Sequence, residues 1–318
     1  MPLLRRLAAA SLLALLIAPV AVWIGAAPPA SAAATADVFC GERPVTEPPP
    51  VEALESFEAR NPLRVVDTRN GTGGVKAAIG TACTLRLDLA GSPVPADAGA
   101  IALSVTALAD RGGYFTVYPC ASGRPETSNL NARVGVPTPN LVVALLDSAR
   151  TVCIYSDLGG HLVIDLVGWW GAGPDRFSSI DPSRVYDTRE LPGGARLPAG
   201  HIRNVPIGGK AVPIEATAAI VNLTVTGAVG VGWLQAYPCG NEAPLASNLN
   251  YLAGEPRAVT AIVGLGEAGA AKGHLCVRSF SDVHVIVDVV GYYAPGPDFG
   301  PSATVSPLRR RAKPRIGG

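Results

Sequence analysis

The chain has 318 residues, 48% of them hydrophobic and only 6% aromatic, with 36 Gly and 29 Pro. That is enough for two ordinary domains with real cores, and it excludes wholesale disorder; so many breakers suit short strands and tight turns rather than long helices. The net charge is +1, yet setting aside Arg5, Arg6 and the five basic residues of the tail leaves 19 bases against 25 acids, a body of about −6 that argues against a nucleic-acid-binding face.

Taken in order, Arg5 and Arg6 precede an apolar run from Leu7 to Ile24, and Ala30-Ser31-Ala32 follows. A charged start, an apolar middle and small residues at a cut site describe a secretory signal peptide over residues 1–32. Pro19 and the Ala-x-Ala site favour cleavage over retention, and an uncleaved signal is the one expected contact with a membrane. Residues 33–56 read as an N-terminal linker tied down through Cys40. Residues 57–173 read as a first β-module, with strands expected at 64–67, 83–89, 100–108, 114–118, 127–131, 141–146, 152–155 and 162–167. Leu85, Leu87 and Leu89 alternate with Arg86 and Asp88, the pattern of a half-buried strand. Asn70-Gly71, Asp110-Arg111-Gly112-Gly113 and Gly159-Gly160 supply turns. The 51–60 stretch could be helical by composition, but its place in the repeat makes it the lead-in to the module. Residues 174–295 repeat the module. Residues 296–318 form a Pro/Gly-rich tail with Arg309, Arg310, Arg311, Lys313 and Arg315, expected to be disordered.

The repeat is explicit. Phe57-x4-Pro62-x-Arg64-Val65-Val66-Asp67-Thr68-Arg69 returns 120 residues later as Phe177-x4-Pro182-x-Arg184-Val185-Tyr186-Asp187-Thr188-Arg189. Tyr118-Pro119-Cys120 and Ser128-Asn129-Leu130-Asn131 return at an offset of 119 as Tyr237-Pro238-Cys239 and Ser247-Asn248-Leu249-Asn250. Cys153 and Asp165-Leu166-Val167-Gly168-Trp169-Trp170 return at 123 as Cys276 and Asp288-Val289-Val290-Gly291-Tyr292-Tyr293. The drift implies a short loop insertion, expected near 264–273. The fold expected is all-β: two tandem, disulfide-stapled β-sandwiches of the jelly-roll or immunoglobulin-like kind, with a closed barrel as the alternative.

Six cysteines in an exported chain imply disulfides. The repeat reduces the pairings to Cys120–Cys153 and Cys239–Cys276 within the modules, leaving Cys40–Cys83 to fasten the N-terminal segment. There is no paired Cys-x2-Cys or His cluster for zinc, and no cofactor is expected.

The side chains that look chemical have structural readings. Arg64, Asp67 and Arg69, and Arg184, Asp187 and Arg189, suit ion-pair clusters at strand ends. Asp165 and Asp288 stand in otherwise apolar strands and need partners, expected among those arginines; Asp288→Ala should then lower the melting temperature sharply. His161 and Asp165, like His284 and Asp288, share a strand face but lie about 13 Å apart, too far for an acid–base pair. No catalytic motif is present, so an enzyme is not expected. Asn129, Asn131, Asn248 and Asn250 alternate around inward-turned Leu130 and Leu249; their amides could hold sugar hydroxyls or loop backbone. Tyr114, Thr116 and Tyr118 share one strand face, as do Trp233, Gln235 and Tyr237, and that row would stack on sugar rings if exposed. Trp169-Trp170 and Tyr292-Tyr293 are expected to cap the cores.

The ordered set Asp-Thr-Arg, Asn-x-Thr-x-Thr (Asn222, Thr224, Thr226; degraded to Ser104, Thr106), Tyr-Pro-Cys, Ser-Asn-Leu-Asn, Cys and Val-Asp-x-Val-Gly-aromatic resembles the tandem module of exported actinobacterial surface proteins, from Phe57 to Tyr293. The resemblance implies a secreted, cell-envelope β-protein with no assigned activity and supplies no binding residues. Two functions follow as expectations: a structural or adhesive protein that binds glycan such as cell-wall polysaccharide, or an accessory or inhibitory partner of another exported protein. Nucleic acid is not an expected partner.

Overall fold

The computed structural model describes residues 34–46 and 56–296; the expected signal segment, residues 47–55 and the tail from 297 onward lie outside the described residues. The first half contributes β1 (Thr35–Cys40), β2 (Ser56–Asp67), β3 (Cys83–Asp88), β4 (Ala100–Leu108), β5 (Tyr114–Pro119), β6 (Leu130–Asn131), β7 (Thr138–Leu145), β8 (Thr151–Ser156) and β9 (His161–Gly171). The second contributes β10 (Asp175–Asp187), β11 (Ile202–Pro206), β12 (Ala218–Thr226), β13 (Gly232–Pro238), β14 (Leu249–Tyr251), β15 (Arg257–Gly264), β16 (His274–Ser279) and β17 (His284–Pro295).

Each half stacks two antiparallel sheets. Their orders are β2-β9-β4-β7 over β1-β3-β8-β5-β6 in the first half, and β10-β17-β12-β15 over β11-β16-β13-β14 in the second. Apart from β1, the strands correspond one to one, and this order of eight strands is that of a jelly roll rather than an immunoglobulin-like sandwich or an up-and-down barrel. From β7 to β8 the chain takes five residues and from β15 to β16 nine, which accounts for the drift in the repeat offset.

Period-2 alternation builds both cores. Ile101, Leu103, Val105 and Ala107 of β4 face inward on Leu85, Leu87, Phe115 and Ile154. Ala219, Val221, Leu223 and Val225 of β12 do the same against Leu234, Leu275 and Val277. β-branched side chains on a half-buried pleated surface favour this geometry.

The Phe-x4-Pro motif has a local cause. β2 and β10 are edge strands, and their ladders to β9 and β17 are interrupted between Ala59 and Leu63 and between Ser179 and Ser183. Pro62 and Pro182 sit in those interruptions, where no ladder hydrogen bond from nitrogen is required. The Phe ring lies across a glycine of the neighbouring strand: a Cβ at Gly168 would come within 2.5 Å of Phe57, and one at Gly291 within 2.6 Å of Phe177. This explains why Phe57 and Gly168, 111 residues apart, recur together as Phe177 and Gly291.

Disulfides join Cys40 to Cys83, Cys120 to Cys153 and Cys239 to Cys276, closing separations of 43, 33 and 37 residues. Three such bonds suit an oxidising compartment. The first ties β1 to β3 as a fifth strand of its sheet. Among the described residues no helix is long and apolar enough to cross a membrane.

The two halves belong to one packed unit. A separate apolar cluster lies between them: Phe57, Ala100, Ala102, Val167 and Trp170 from the first half meet Ala218, Ile262 and Tyr293 from the second. This corrects one expectation. Trp169 enters the first core, but Trp170 and Tyr293, turned the other way by strand alternation, join the halves instead of capping the cores.

Candidate functional site

The Arg-x-x-Asp-Thr-Arg motif forms a closed salt-bridge cluster in both halves. Arg69 grips Asp67 with Nε to Oδ1 at 2.8 Å and Nη2 to Oδ2 at 2.6 Å, while Arg64 reaches Asp165 with Nε to Oδ1 at 2.9 Å and Nη2 to Oδ2 at 3.2 Å. Arg189 and Asp187 (2.9 and 2.6 Å) and Arg184 and Asp288 (2.8 and 3.3 Å) repeat it. Hydrogen bonds from Arg189 hold the Asp187 carboxyl down at about 2, and those from Arg69 lower Asp67. Burial pushes Asp165 the other way, above the usual carboxylate range, against the pull of Arg64. Every charged group of the cluster is paired within it.

The two copies differ in burial. Asp165 is 1% exposed, whereas the Asp288 side chain is 21% exposed. The expectation that Asp288 is a buried carboxylate is therefore corrected: its side chain is partly open to water, so its loss leaves a partly hydrated site and a smaller penalty.

His161 and His284 turn to threonine, a pairing the sequence reading missed. Thr68 Oγ1 lies 2.9 Å from His161 Nδ1 and accepts from the Leu162 N–H; Thr188 Oγ1 lies 3.1 Å from His284 Nδ1 and accepts from the Val285 N–H. The recurrence of Thr and His at matched places in both copies was the available signal.

The amides divide. Asn129 Oδ1 accepts from the Val117 N–H and Asn248 Oδ1 from the Ala236 N–H, both at 2.7 Å, so these two serve the backbone. Leu130 and Leu249 are buried between them and their neighbours, Asn131 is exposed and Asn250 half-buried.

The aromatic row, a platform for sugar rings only if exposed, is mostly covered. Phe115 and Leu234 do lie in the cores, which turns the row outward, but in the second half Gln235 and Tyr237 are buried. Gln235 Nε2 donates to the Pro244 carbonyl at 2.5 Å, and Ala243 and Ala271 close over Tyr237 and the Cys239–Cys276 bridge. Only Trp233 stays half-open, 5.6 Å from the Phe280 ring. In the first half Thr116 and Tyr118 are buried too. Desolvation raises the Tyr118 phenol above its ordinary value.

Tyr114 instead borders a groove of ≈ 1020 Å³ on the outer face of the β1-β3-β8-β5-β6 sheet. Its floor includes Tyr114 and Tyr155, with ring centroids 6.0 Å apart. One wall is the 122–128 loop, whose Arg124 guanidinium lies 3.9 Å from the Tyr155 centroid. The opposite wall is the N-terminal segment, with Phe39, Arg43 and Val45, held by the Cys40–Cys83 bond. Glu126, Ser128 and Asn131 add polar groups. Tyr155 was missed by sequence reading because it lies on another strand; the signal was its replacement by Arg278 two residues past the matching cysteine. In the second half the corresponding loop has Ala243 where the first has Arg124. A second, shallower recess of ≈ 540 Å³ is lined by Pro182, Arg184, Asn222, Asp288 and Val290. Among the described residues no group of three or more His, Cys, Asp or Glu could hold a metal ion.

No family model matches the chain, and no curated protein does. Among solved structures it is similar to the N-terminal CBM22-1-CBM22-2 tandem domain from Paenibacillus barcinonensis Xyn10C, at 10% identity over 84% of this chain and 100% of that one. The TM-score is 0.19, and at that value the likeness carries no inference about a ligand.

Proposed function

We propose that the chain is a secreted, non-catalytic binding protein of the cell envelope, and that the groove of its first module holds a segment of polysaccharide. The observation that carries this reading is the lining of the groove: tyrosine rings on the floor, with arginine and carboxylate side chains together on the walls. Sugar rings present apolar C–H faces that pack on aromatic rings, and hydroxyls that accept from guanidinium and donate to carboxylate or amide oxygen. The volume suits several sugar units rather than one. The covered face of the second module makes it a support for the first.

The test is binding of the mature protein to purified cell-wall polysaccharides by affinity electrophoresis. Tyr114→Ala and Arg124→Ala are each expected to weaken retention about tenfold, equivalent to ~1.4 kcal/mol, while Trp233→Ala leaves it unchanged. Retention that is absent in the unmodified protein, or insensitive to both groove variants, overturns the reading.

One patch favours the protein-partner alternative. Val229, Val231 and Phe280 of the second half are more than half exposed, and Phe280 stacks on Trp233. An exposed apolar cluster of this kind is a feature of protein contact sites. If that alternative holds, Phe280→Ser abolishes capture of an exported enzyme and leaves polysaccharide retention untouched.

A further inference from the structure

Arg43 and Arg124 stand on opposite walls of the groove, and neither is engaged as the other arginines of the first module are. Arg64, Arg69, Arg86 and Arg133 each hold a carboxylate oxygen within 3.5 Å. Among the described residues Arg124 forms no salt bridge. Arg43 reaches only Asp37, at 3.9 Å, and Asp37 is held more closely by Arg86 at 3.4 Å. Both are laid on aromatic rings instead: Arg124 lies 3.9 Å from the Tyr155 centroid and Arg43 3.9 Å from that of Phe39. A guanidinium stacked in this way is fixed in direction, yet the N–H donors in its plane stay available to another partner.

The walls that carry them are pinned together. The Thr46 N–H donates to the Ala121 carbonyl at 2.9 Å, and a Cβ at Gly123 would come within 2.7 Å of Val45. Arg43 and Arg124 each stand three residues from that hydrogen bond. Both also act on one point of the floor. Burial raises the Tyr118 phenol, a hydrogen bond with Thr84 opposes this, and Arg124 and Arg43 both pull it down. The second module lacks the arrangement, with Ala243 in the place of Arg124 and no counterpart of β1.

We infer that the groove selects a polysaccharide bearing an anionic group, a carboxylate or a phosphate, which Arg43 and Arg124 grip from its two sides. The inference rests on the reading of the groove as a polysaccharide site. The planar fork of each guanidinium matches two oxygens of such a group, and these charge-assisted bonds are stronger than bonds to sugar hydroxyls. The anion therefore sets the preference, while the tyrosine rings carry the adjoining sugars. Glu42 and Glu126 also line the groove, but they do not cancel this preference. Both are exposed, and among the described residues neither is in an ion pair or hydrogen bond that would hold it toward the ligand. Their carboxylates are free to turn to water, whereas the guanidinium groups are held over rings.

Affinity electrophoresis of the mature protein tests this with one cell-wall polysaccharide in native, carboxyl-reduced and dephosphorylated form. Retention is expected to fall about tenfold on removal of the anion, the worth of one charge-assisted hydrogen bond. A fall in the reduced form alone identifies a carboxylate, and in the dephosphorylated form alone a phosphate. Equal retention of all three overturns the inference and leaves the groove as a site for neutral sugars. Native material that is not retained removes the reading beneath it, and this inference with it. Arg43→Gln combined with Arg124→Gln is expected to hold native and treated material alike; a variant that still discriminates overturns the assignment. Partial unfolding lowers retention of every form in proportion, so it cannot imitate a lost preference. Glu42→Gln combined with Glu126→Gln is expected to hold native material at least as well as the unmodified protein. A tenfold loss there would assign the groove to a cationic group and overturn the inference.

Discussion

Arg64 Nη2 donates to the main-chain carbonyl of Leu245 at 3.1 Å while the same guanidinium holds Asp165. One side chain thus neutralises a buried carboxylate and fastens the second module to the first.

Removing Arg64 therefore has two consequences. Arg64→Ala leaves Asp165 buried without its cation, a loss of about 3–5 kcal/mol, and frees the 242–247 loop from its anchor. Arg184→Ala breaks the same pair where both partners are partly hydrated, and Asp288→Ala does likewise, so both are expected to shift the urea midpoint much less. Equal shifts for Arg64→Ala and Arg184→Ala would show that the module contact does not bury the first pair in solution.

The carboxylates give the acid limb of stability its shape. Asp187, at about 2 in the folded chain, and Asp67, also lowered, have folded values below the ordinary 3.8. The unfolded chain then binds more protons, so their contribution is complete above about pH 4 and is lost as pH falls toward 2. Asp165, raised by burial, acts with the opposite sign and blunts the loss in the first module. Arg189→Ala removes the hydrogen bonds that lower Asp187. Urea titrations between about pH 5 and pH 2 should show a steeper decline in the unmodified protein than in Arg189→Ala; parallel curves would contradict the assignment.

The Cys40–Cys83 bond has a structural role and a role in the groove. It closes 43 residues, worth about 4 kcal/mol in the chain-entropy picture, and it holds the wall that carries Phe39, Arg43 and Val45. Cys40→Ser with Cys83→Ser is expected to lower the first module's melting temperature and to weaken polysaccharide retention together. A variant that loses stability but retains ligand fully would show that the N-terminal wall takes no part in binding.

What could be read in the sequence was whatever the repeat stated twice. The cysteine partners, the arginines facing Asp165 and Asp288, and the inward turn of Leu130 and Leu249 each follow from one module's own alternation, and both copies carry the same pattern. Contacts made once were hidden. Asp165 and Asp288 have the same neighbours in sequence, and only the docking of the 242–247 loop makes one buried and the other partly open. Gln235 and Tyr237 stand on an outward face by periodicity, yet the loop that returns past Pro244 covers them. The groove drew on three separate segments, one of them the N-terminal strand that has no counterpart in the second module. Differences between the copies, Tyr155 against Arg278 and Arg124 against Ala243, were the sequence's pointer to it.

The Thr188–His284 pair makes a last expectation specific. Thr188 Oγ1 accepts the Val285 N–H at 3.0 Å and lies 3.1 Å from His284 Nδ1, a hydrogen bond whose direction is set by the imidazole tautomer. Burial, helped by Arg196 and Arg189 and opposed by Asp187, holds this histidine below its ordinary 6.5. The unfolded chain therefore takes up a proton near pH 6.5 that the folded chain refuses, so stability is full above that value and declines as pH falls below it. Thr188→Val strands the Val285 N–H and should cost about 1–3 kcal/mol at neutral pH. His284→Phe should flatten the decline between about pH 7 and pH 5 in urea titrations while leaving the lower carboxylate limb in place. A decline that persists unchanged in His284→Phe would assign it to another group.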